Sequence, residues 1–241
     1  MQYRDSSIHY YLPKASAYSK LTGMPKRPEI ILVRHGQSTA NAAGVWQGRL
    51  DFPLSDAGRE QASFAGKALA STTIDALYAS PLSRAYETAE LIARESGFSG
   101  EVTSNPGFME RAGGLLEGTT REERETRIPE LVHKLATLPE EEHWSVVGAE
   151  TDEEVLRRFG RAISGIRDLH GAGSRVVLVS HGGTMRAFLR HLLGPEVLSD
   201  SQRAPNASIT RFSWEIDGSQ PQLIELAGMD HLPKATDTAA E

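Results

Sequence analysis

The sequence predicts an α/β protein: a three-layer α/β/α sandwich on a mostly parallel central sheet, with a small helical cap as an insertion. Two short runs, Glu29-Ile30-Ile31-Leu32-Val33 and Arg175-Val176-Val177-Leu178-Val179, are almost wholly apolar and rich in β-branched residues. Such runs are the mark of strands covered on both faces, as in a parallel sheet. Strand-like and helix-like segments then alternate along the chain, as βαβ units require. No repeat or low-complexity linker interrupts them.

Each element follows in order. Residues 1–28 are polar and aromatic without a usable period, and are expected to form a flexible extension ahead of a domain at 29–232. The first apolar run is a strand. A polar, glycine-bearing loop covers 36–53, and a helix begins near Ser55 and carries Phe64, Ala65, Ala68 and Leu69 on one side. Residues 74–79 form a second strand. Ser80-Pro81 reads as a helix start, serine capping and proline in the first turn, with Ala85, Ala89 and Ile92 facing inward. A loop spans 105–118. The charged stretch 121–143, broken by Pro129 and Pro139, is expected to form short helices capping the sheet. Thr151-x-x-Glu154 is a capping box for a helix running to about Leu169. The second apolar run is a strand, followed by a helix over 184–193. Segments 208–216 and 222–226 are late strands, and 233–241 is a frayed tail.

Composition narrows the function. Twenty-six basic against thirty-two acidic side chains give a net charge of −6 over 241 residues, which disfavours a general nucleic-acid or anionic-membrane partner. With no cysteine, disulfides, thiolate zinc sites and cysteine nucleophiles are excluded. No apolar stretch reaches the roughly 18 residues of a membrane span, and the start of the chain lacks a secretory layout. A soluble cytoplasmic protein is the expectation.

The chemistry concentrates at strand ends, where open α/β sheets bind ligands. Both apolar runs lead into a His-Gly step, Arg34-His35-Gly36 and Ser180-His181-Gly182. An imidazole beside a guanidinium can attack phosphorus while the arginine neutralises the other oxygens. Arg34 in a plain salt bridge and His35 as a strand cap is the alternative for the tripeptide alone. Arg84 falls in the first turn of the helix after the second strand, where anions bind well and a guanidinium offers a bidentate fork. An exposed helix arginine is the alternative, and the position directly after a strand favours the pocket. Glu110 and Glu117 lie on a glycine-rich loop, as a general acid or as solvated acids. His9, His133, His143, His170 and His191 lack such a context and are expected to be structural or solvent-facing. No serine elbow, His-Glu-x-x-His or Walker sequence is present, so those chemistries lack a motif, and neither a metal site nor a cofactor is expected.

Taken together these residues resemble the histidine phosphatase superfamily, also called phosphoglycerate-mutase-like, over nearly the whole chain from Ile31 to His231. Leu32-Val33-Arg34-His35-Gly36-Gln37-Ser38 is similar to its signature. The resemblance implies that His35 becomes phosphorylated, that Glu110 is the proton donor, and that Arg34, Arg84 and His181 hold the phosphate. Asn41, Gln47, Gly48 and Gly182 fall at substrate-binding positions. Gly114-x-x-Glu117-Gly118, Pro53-Leu54-Ser55-x-x-Gly58 and Asn206-Ala207-Ser208 also fit. One departure is Ala149, within Gly148-Ala149-Glu150-Thr151, where many members carry glutamate, which leaves the role of Glu150 open.

The expectation is a metal-independent phosphomonoesterase acting on a small phosphorylated metabolite, a sugar phosphate or sugar-acid phosphate, with His181 protonated in the pocket. A mutase that returns the phosphoryl group to a sugar acid is the alternative, because both pass through phosphohistidine. Against it, Arg111-Ala112-Gly113-Gly114-Leu115 lacks the aromatic step after Glu110 typical of the mutases. A non-catalytic phosphate-recognition module is a third reading, opposed by the presence of His35, Glu110 and His181 together. The oligomeric state is open, a homodimer among the options.

Overall fold

Ile30, Ile31, Leu32 and Val33 are all fully buried, because both faces of their strand are covered. The computed structural model describes residues 28–171, 173–194, 197–198, 204–214 and 221–233. Strands β1 (Glu29–Arg34), β2 (Ala76–Ala79), β3 (Val102–Ser104), β4 (Arg175–Ser180), β5 (Ile209–Trp214) and β6 (Pro221–Gly228) form one sheet in the order β3-β2-β4-β1-β5-β6. The pairs β1–β4, β2–β4 and β2–β3 are parallel, whereas β5 runs antiparallel to both β1 and β6. The sheet is therefore mostly parallel, as expected, with one reversed strand near an edge.

Alternating side chains divide the core into two layers. Ile30, Leu32, Val176 and Leu178 pack with Phe159 and Ile163 of α7 (Asp152–Leu169) and with Met185 and Phe188 of α8 (Gly182–Leu193). Ile31, Val33, Val177 and Val179 pack on the other face, against Ala65 of α2 (Asp56–Ala68) and Ala85, Ala89 and Ile92 of α3 (Ser83–Ser96). This is the three-layer sandwich. Phe108, Phe159, Phe188 and Phe212 run in a chain of ring contacts through the first layer, with centroids 4.8–6.0 Å apart. Among the described residues no helix is long and apolar enough to cross a membrane.

Local signals account for most boundaries. Ser55 caps α2 by accepting from the Gly58 amide, and Thr151 and Glu154 form the reciprocal capping box of α7. The charged insertion folds as three short helices, α4 (Arg121–Arg127), α5 (Pro129–Thr137) and α6 (Glu140–Val146). Pro129 sits in the first turn of α5 and Pro139 caps α6, so each proline separates two helices.

Several expectations need correction. Helix α3 starts at Ser83 with Leu82 at its cap, not at Ser80-Pro81. Ser80 still continues the sheet, its amide donating a hydrogen bond to the Val179 carbonyl, and its hydroxyl hydrogen-bonds to His181. Tertiary pairing outweighs the capping preference there. Helix α8 begins two residues earlier than expected, at Gly182, and the second strand two residues later, at Ala76. Short β3 and the four-residue α1 (Thr39–Ala42) lie in segments with too few residues to show a period. Residues 215–216 of the expected strand, positions 1–27 of the extension and 234–241 of the tail lie outside the described residues.

Candidate active site

Parallel register brings the two histidines together. Val33 pairs with Val179 and Arg34 with Ser180, so the next residue of each strand emerges at the same edge. His35 and His181 stand with ring centroids 5.0 Å apart, both buried. The chain leaves β1 for α2 on one face and β4 for α8 on the other. The crevice between these two carboxyl ends is where doubly wound sheets bind ligands.

His35 is held by its backbone and oriented by one ring nitrogen. Its amide donates to the Ser180 carbonyl at 2.9 Å, and its carbonyl accepts from the Asn206 side chain at 3.0 Å. Nδ1 lies 2.6 Å from the Gly36 carbonyl. A carbonyl can only accept, so Nδ1 carries the hydrogen and Nε2 keeps its lone pair. Burial first, then the Arg84 and Arg34 guanidiniums, hold the imidazole well below the ordinary histidine range. It is neutral near pH 7.

Burial, followed by Arg84, His35 and Arg34, lowers the His181 pKa well below the ordinary value, which favours the neutral ring in the site without a bound anion. Nε2 bonds to Ser80 Oγ at 2.8 Å, and Nδ1 is buried with no hydrogen-bond partner. Two neutral imidazoles beside two guanidiniums are what mutual repulsion in a desolvated place dictates.

The arginines come from separate elements. Arg34, at the end of β1, donates to the Ala204 carbonyl at 2.6 Å and packs against Gly182. Arg84, 1% exposed in the first turn of α3, donates to the carbonyls of Leu50 (2.9 Å) and Gly48 (2.8 Å). It thereby ties the 47–50 loop to the strand ends while its Nε has no partner. Asn41 closes a capping box with Ser38 and accepts from Asn206 at 3.2 Å, and Gln47 accepts from the Ser38 hydroxyl at 2.8 Å.

Glu110 lies across the start of α8. Its carboxylate accepts from the amides of Gly183 (3.0 Å) and Thr184 (2.8 Å), using the unpaired amides of a helix start. Glu117 is elsewhere: its carboxylate accepts from the amides of Arg49 and Gly113 and shapes the loop. Gly114, at φ +56°, is required there, since a β-carbon would lie 2.1 Å from the Val147 carbonyl oxygen.

A cavity of about 840 Å³ opens above the strand ends. Arg34, His35, Asn41, Gln47, Gly48, Arg84, Glu110 and Gly182 all line it, while His181 lies behind them. Its outer walls are Trp46, the cap residues Arg121, Arg124, Leu135, His143 and Trp144, and Arg186 and Arg190 on α8. Seven arginines against Glu110 and Asp152 make the lining strongly basic in an acidic protein. Arg111 stacks 4.1 Å from the Trp144 ring and is paired with Asp152. A second depression, of about 570 Å³, lies at the amino ends of β2 and β3, away from all these residues. Among the described residues no three His, Asp or Glu side chains converge as a metal site.

Sequence reasoning therefore found the inner wall and missed much of the outer one. His143, expected to be structural or solvent-facing, lines the cavity and also bonds to the Leu138 carbonyl. Arg186 and Arg190 carry no signal beyond being arginines on an amphipathic helix.

The sequence profile of the histidine phosphatase superfamily (branch 1) matches residues 30–226. The chain belongs to that superfamily and is an enzyme, a histidine phosphatase. It is 35% identical over 220 residues to the metal-independent phosphoserine phosphatase of Arabidopsis thaliana, covering 88% of this chain and 89% of that one. It is 36% identical over 161 residues to phosphoglycerate mutase-like protein 4 of the same plant, covering 66% and 69%. Among solved structures, mycobacterial glucosyl-3-phosphoglycerate phosphatase in complex with VO3 superposes with a TM-score of 0.70 at 27% identity, over 83% of this chain and 98% of that one.

Proposed function

We propose that the enzyme hydrolyses a phosphomonoester of a small metabolite, a sugar phosphate or sugar-acid phosphate, through a phosphohistidine on His35 and without a metal. The observation that carries this is the His35 ring, with Nδ1 donating to the Gly36 carbonyl so that Nε2 keeps its lone pair, and with burial and the charges of Arg84 and Arg34 favouring the neutral form. Nε2 attacks phosphorus as the ester P–O bond breaks, and Glu110, carrying a proton, gives it to the departing alkoxide. Water then attacks the phosphohistidine while the Glu110 carboxylate takes its proton, releasing inorganic phosphate and restoring the imidazole. Arg34 and Arg84 neutralise the transferring oxygens in place of a cation. His181 starts neutral, and a bound phosphate dianion beside it would draw a proton onto it. Asn41, Gln47, Gly48 and Gly182 complete the substrate contacts.

The rest of the substrate occupies the outer cavity. Its volume exceeds a phosphate, and its Trp46, Trp144 and arginine walls suit a polar, anionic leaving group. Residues 29–232 are the catalytic unit, the metabolite is the partner, and the cytoplasm is the proposed compartment. A chain beginning at Met24 is expected to keep its turnover.

The test is chemical. Acid-labile phosphate should label the enzyme and be absent from His35→Ala, and turnover should survive dialysis against a chelator. Label retained in His35→Ala would move the nucleophile elsewhere, and magnesium- or zinc-restored turnover would overturn the metal-free reading. Phosphoryl return to a phosphoglycerate, in place of free phosphate, would make the enzyme a mutase.

A further inference from the structure

Glu150 sits outside the cavity lining but at the hub of the bonds that hold the Glu110 loop. Its carboxylate receives Arg158 Nε at 2.7 Å, Arg158 Nη2 at 2.8 Å and Arg49 Nη2 at 3.2 Å, with the Ala112 amide at 3.4 Å. Each arginine then reaches past it to the loop. Arg158 Nη1 donates to the carbonyls of Gly107 (2.9 Å) and Met109 (2.7 Å), and Nη2 to Thr184 Oγ1 at 3.3 Å. Arg49 Nε donates to the carbonyl of Glu110 itself at 3.2 Å. Thr184 Oγ1 lies 3.1 Å from Glu110 Oε1 and 2.9 Å from the Met109 carbonyl. The backbone just before Glu110, its own carbonyl and one of its carboxylate oxygens are thus held by two arginines and a threonine, and the Ala112 amide just after it by Glu150.

The charges make Glu150 the organiser. The Arg158 side chain is largely withdrawn from water and that of Arg49 is 37% exposed, and Glu150 is the acid they share. Burial works against its ionisation, but the Arg158 bonds, then the charges of Arg158 and Arg49, outweigh it and hold its pKa below the usual carboxylate value. Neutralising it would leave two guanidiniums beside each other with no counter-charge, free to turn away from the loop.

We infer that Glu150 and Arg158 are positioning residues for Glu110, setting where its carboxylate stands over the departing group. The inference rests on Glu110 being the proton donor. It also gives Glu150, which does not line the cavity, a part in the reaction without contact to the substrate.

The experiment compares leaving groups. An alkyl phosphate must expel a basic alkoxide and needs the proton, whereas a nitrophenyl phosphate leaves with little help. Phosphohistidine formation is measured for both esters in Glu110→Gln, Glu150→Gln, Arg158→Met and Arg158→Lys. Misplacing a reacting group by about 1 Å costs on the order of 10²-fold. Glu150→Gln and Arg158→Met should therefore slow the alkyl ester by about 10²-fold and the aryl ester by only a few-fold. In a Glu110→Gln background, Glu150→Gln should add almost nothing for the alkyl ester, since there is no proton left to position. Arg158→Lys, which keeps the charge but loses the fork, should fall between. Should Glu150→Gln fail to fold, Arg158→Lys and Thr184→Val, read the same way, carry the test. Equal slowing of both esters in the Glu150 and Arg158 variants, with Glu110→Gln still discriminating, would make the cluster merely structural and overturn the inference. Equal slowing in Glu110→Gln itself would instead remove Glu110 as proton donor, and the positioning role with it.

Discussion

Gly36 and Gly58 meet backbone to backbone. A β-carbon on Gly36 would lie 2.2 Å from the Gly58 carbonyl oxygen, and one on Gly58 would lie 1.9 Å from the Gln37 carbonyl oxygen. The two glycines belong to different sequence patterns, one after His35 and one in the first turn of α2. Their contact lets α2 approach the β1 loop closely enough for the Ser55 amide to donate to the Gln37 carbonyl at 2.9 Å. The Gly36 carbonyl that orients His35 stands in the same turn.

Gly58→Ala should therefore act on stability and on the site together. The clash is with main chain, which cannot rotate away, so destabilisation at or above the ~1–3 kcal/mol typical of overpacking is expected. Urea unfolding measures it, and a variant as stable as the parent would show that the contact yields. Turnover per folded molecule should also drop, because relief of the clash shifts the His35 turn.

Arg84→Lys keeps the charge and loses the geometry. Lysine cannot donate to the Gly48 and Leu50 carbonyls and still face the cavity with further N–H groups. We expect inhibition by inorganic phosphate or vanadate to weaken by about 1.5–3 kcal/mol, the range for hydrogen bonds to charged groups. Unchanged inhibition would mean that Arg84 acts only through the loop.

Stability should fall with acid in two windows. His35 and His181 have folded pKa values well below 6.5, so the unfolded chain binds protons that the folded one refuses. Their neutral burial costs nothing extra above about pH 6.5. Below it, stability drops by up to about 1.4 kcal/mol per pH unit for each histidine, until the folded pKa is reached. Glu150 has the opposite charge type but also a lowered pKa, so its contribution is present above the ordinary carboxylate range and lost as pH falls below it. Unfolding free energy measured between pH 7.5 and 5.5 tests the first window. His181→Asn should flatten the slope there, and an unaltered slope would show that His181 takes up a proton in the folded enzyme.

How much was legible in the sequence depends on the range of the interaction. The strands beginning at Glu29 and Arg175 and the helix capped by Thr151 were readable, since burial of both faces and a capping box are properties of a few adjacent residues. Arg34, His35 and Gly182 were readable along the cavity because they stand at strand ends, whereas Asn41, Gln47 and Gly48 were reached through the family resemblance. Ser80 misled, as its local preference for a helix cap lost to the distant His181.

By itself, then, the sequence determined the layer architecture, the family, and the identity of the residues at the strand ends. Only the tertiary structure decided what lies between them. Parallel register sets His35 against His181, and shared burial with two arginines makes both imidazoles neutral. The same is true of Glu150, which joins Arg49 to Arg158 from positions 101 and 8 residues away. Protonation and positioning depend on how many charges share a desolvated volume, and that number exists only once distant segments have packed.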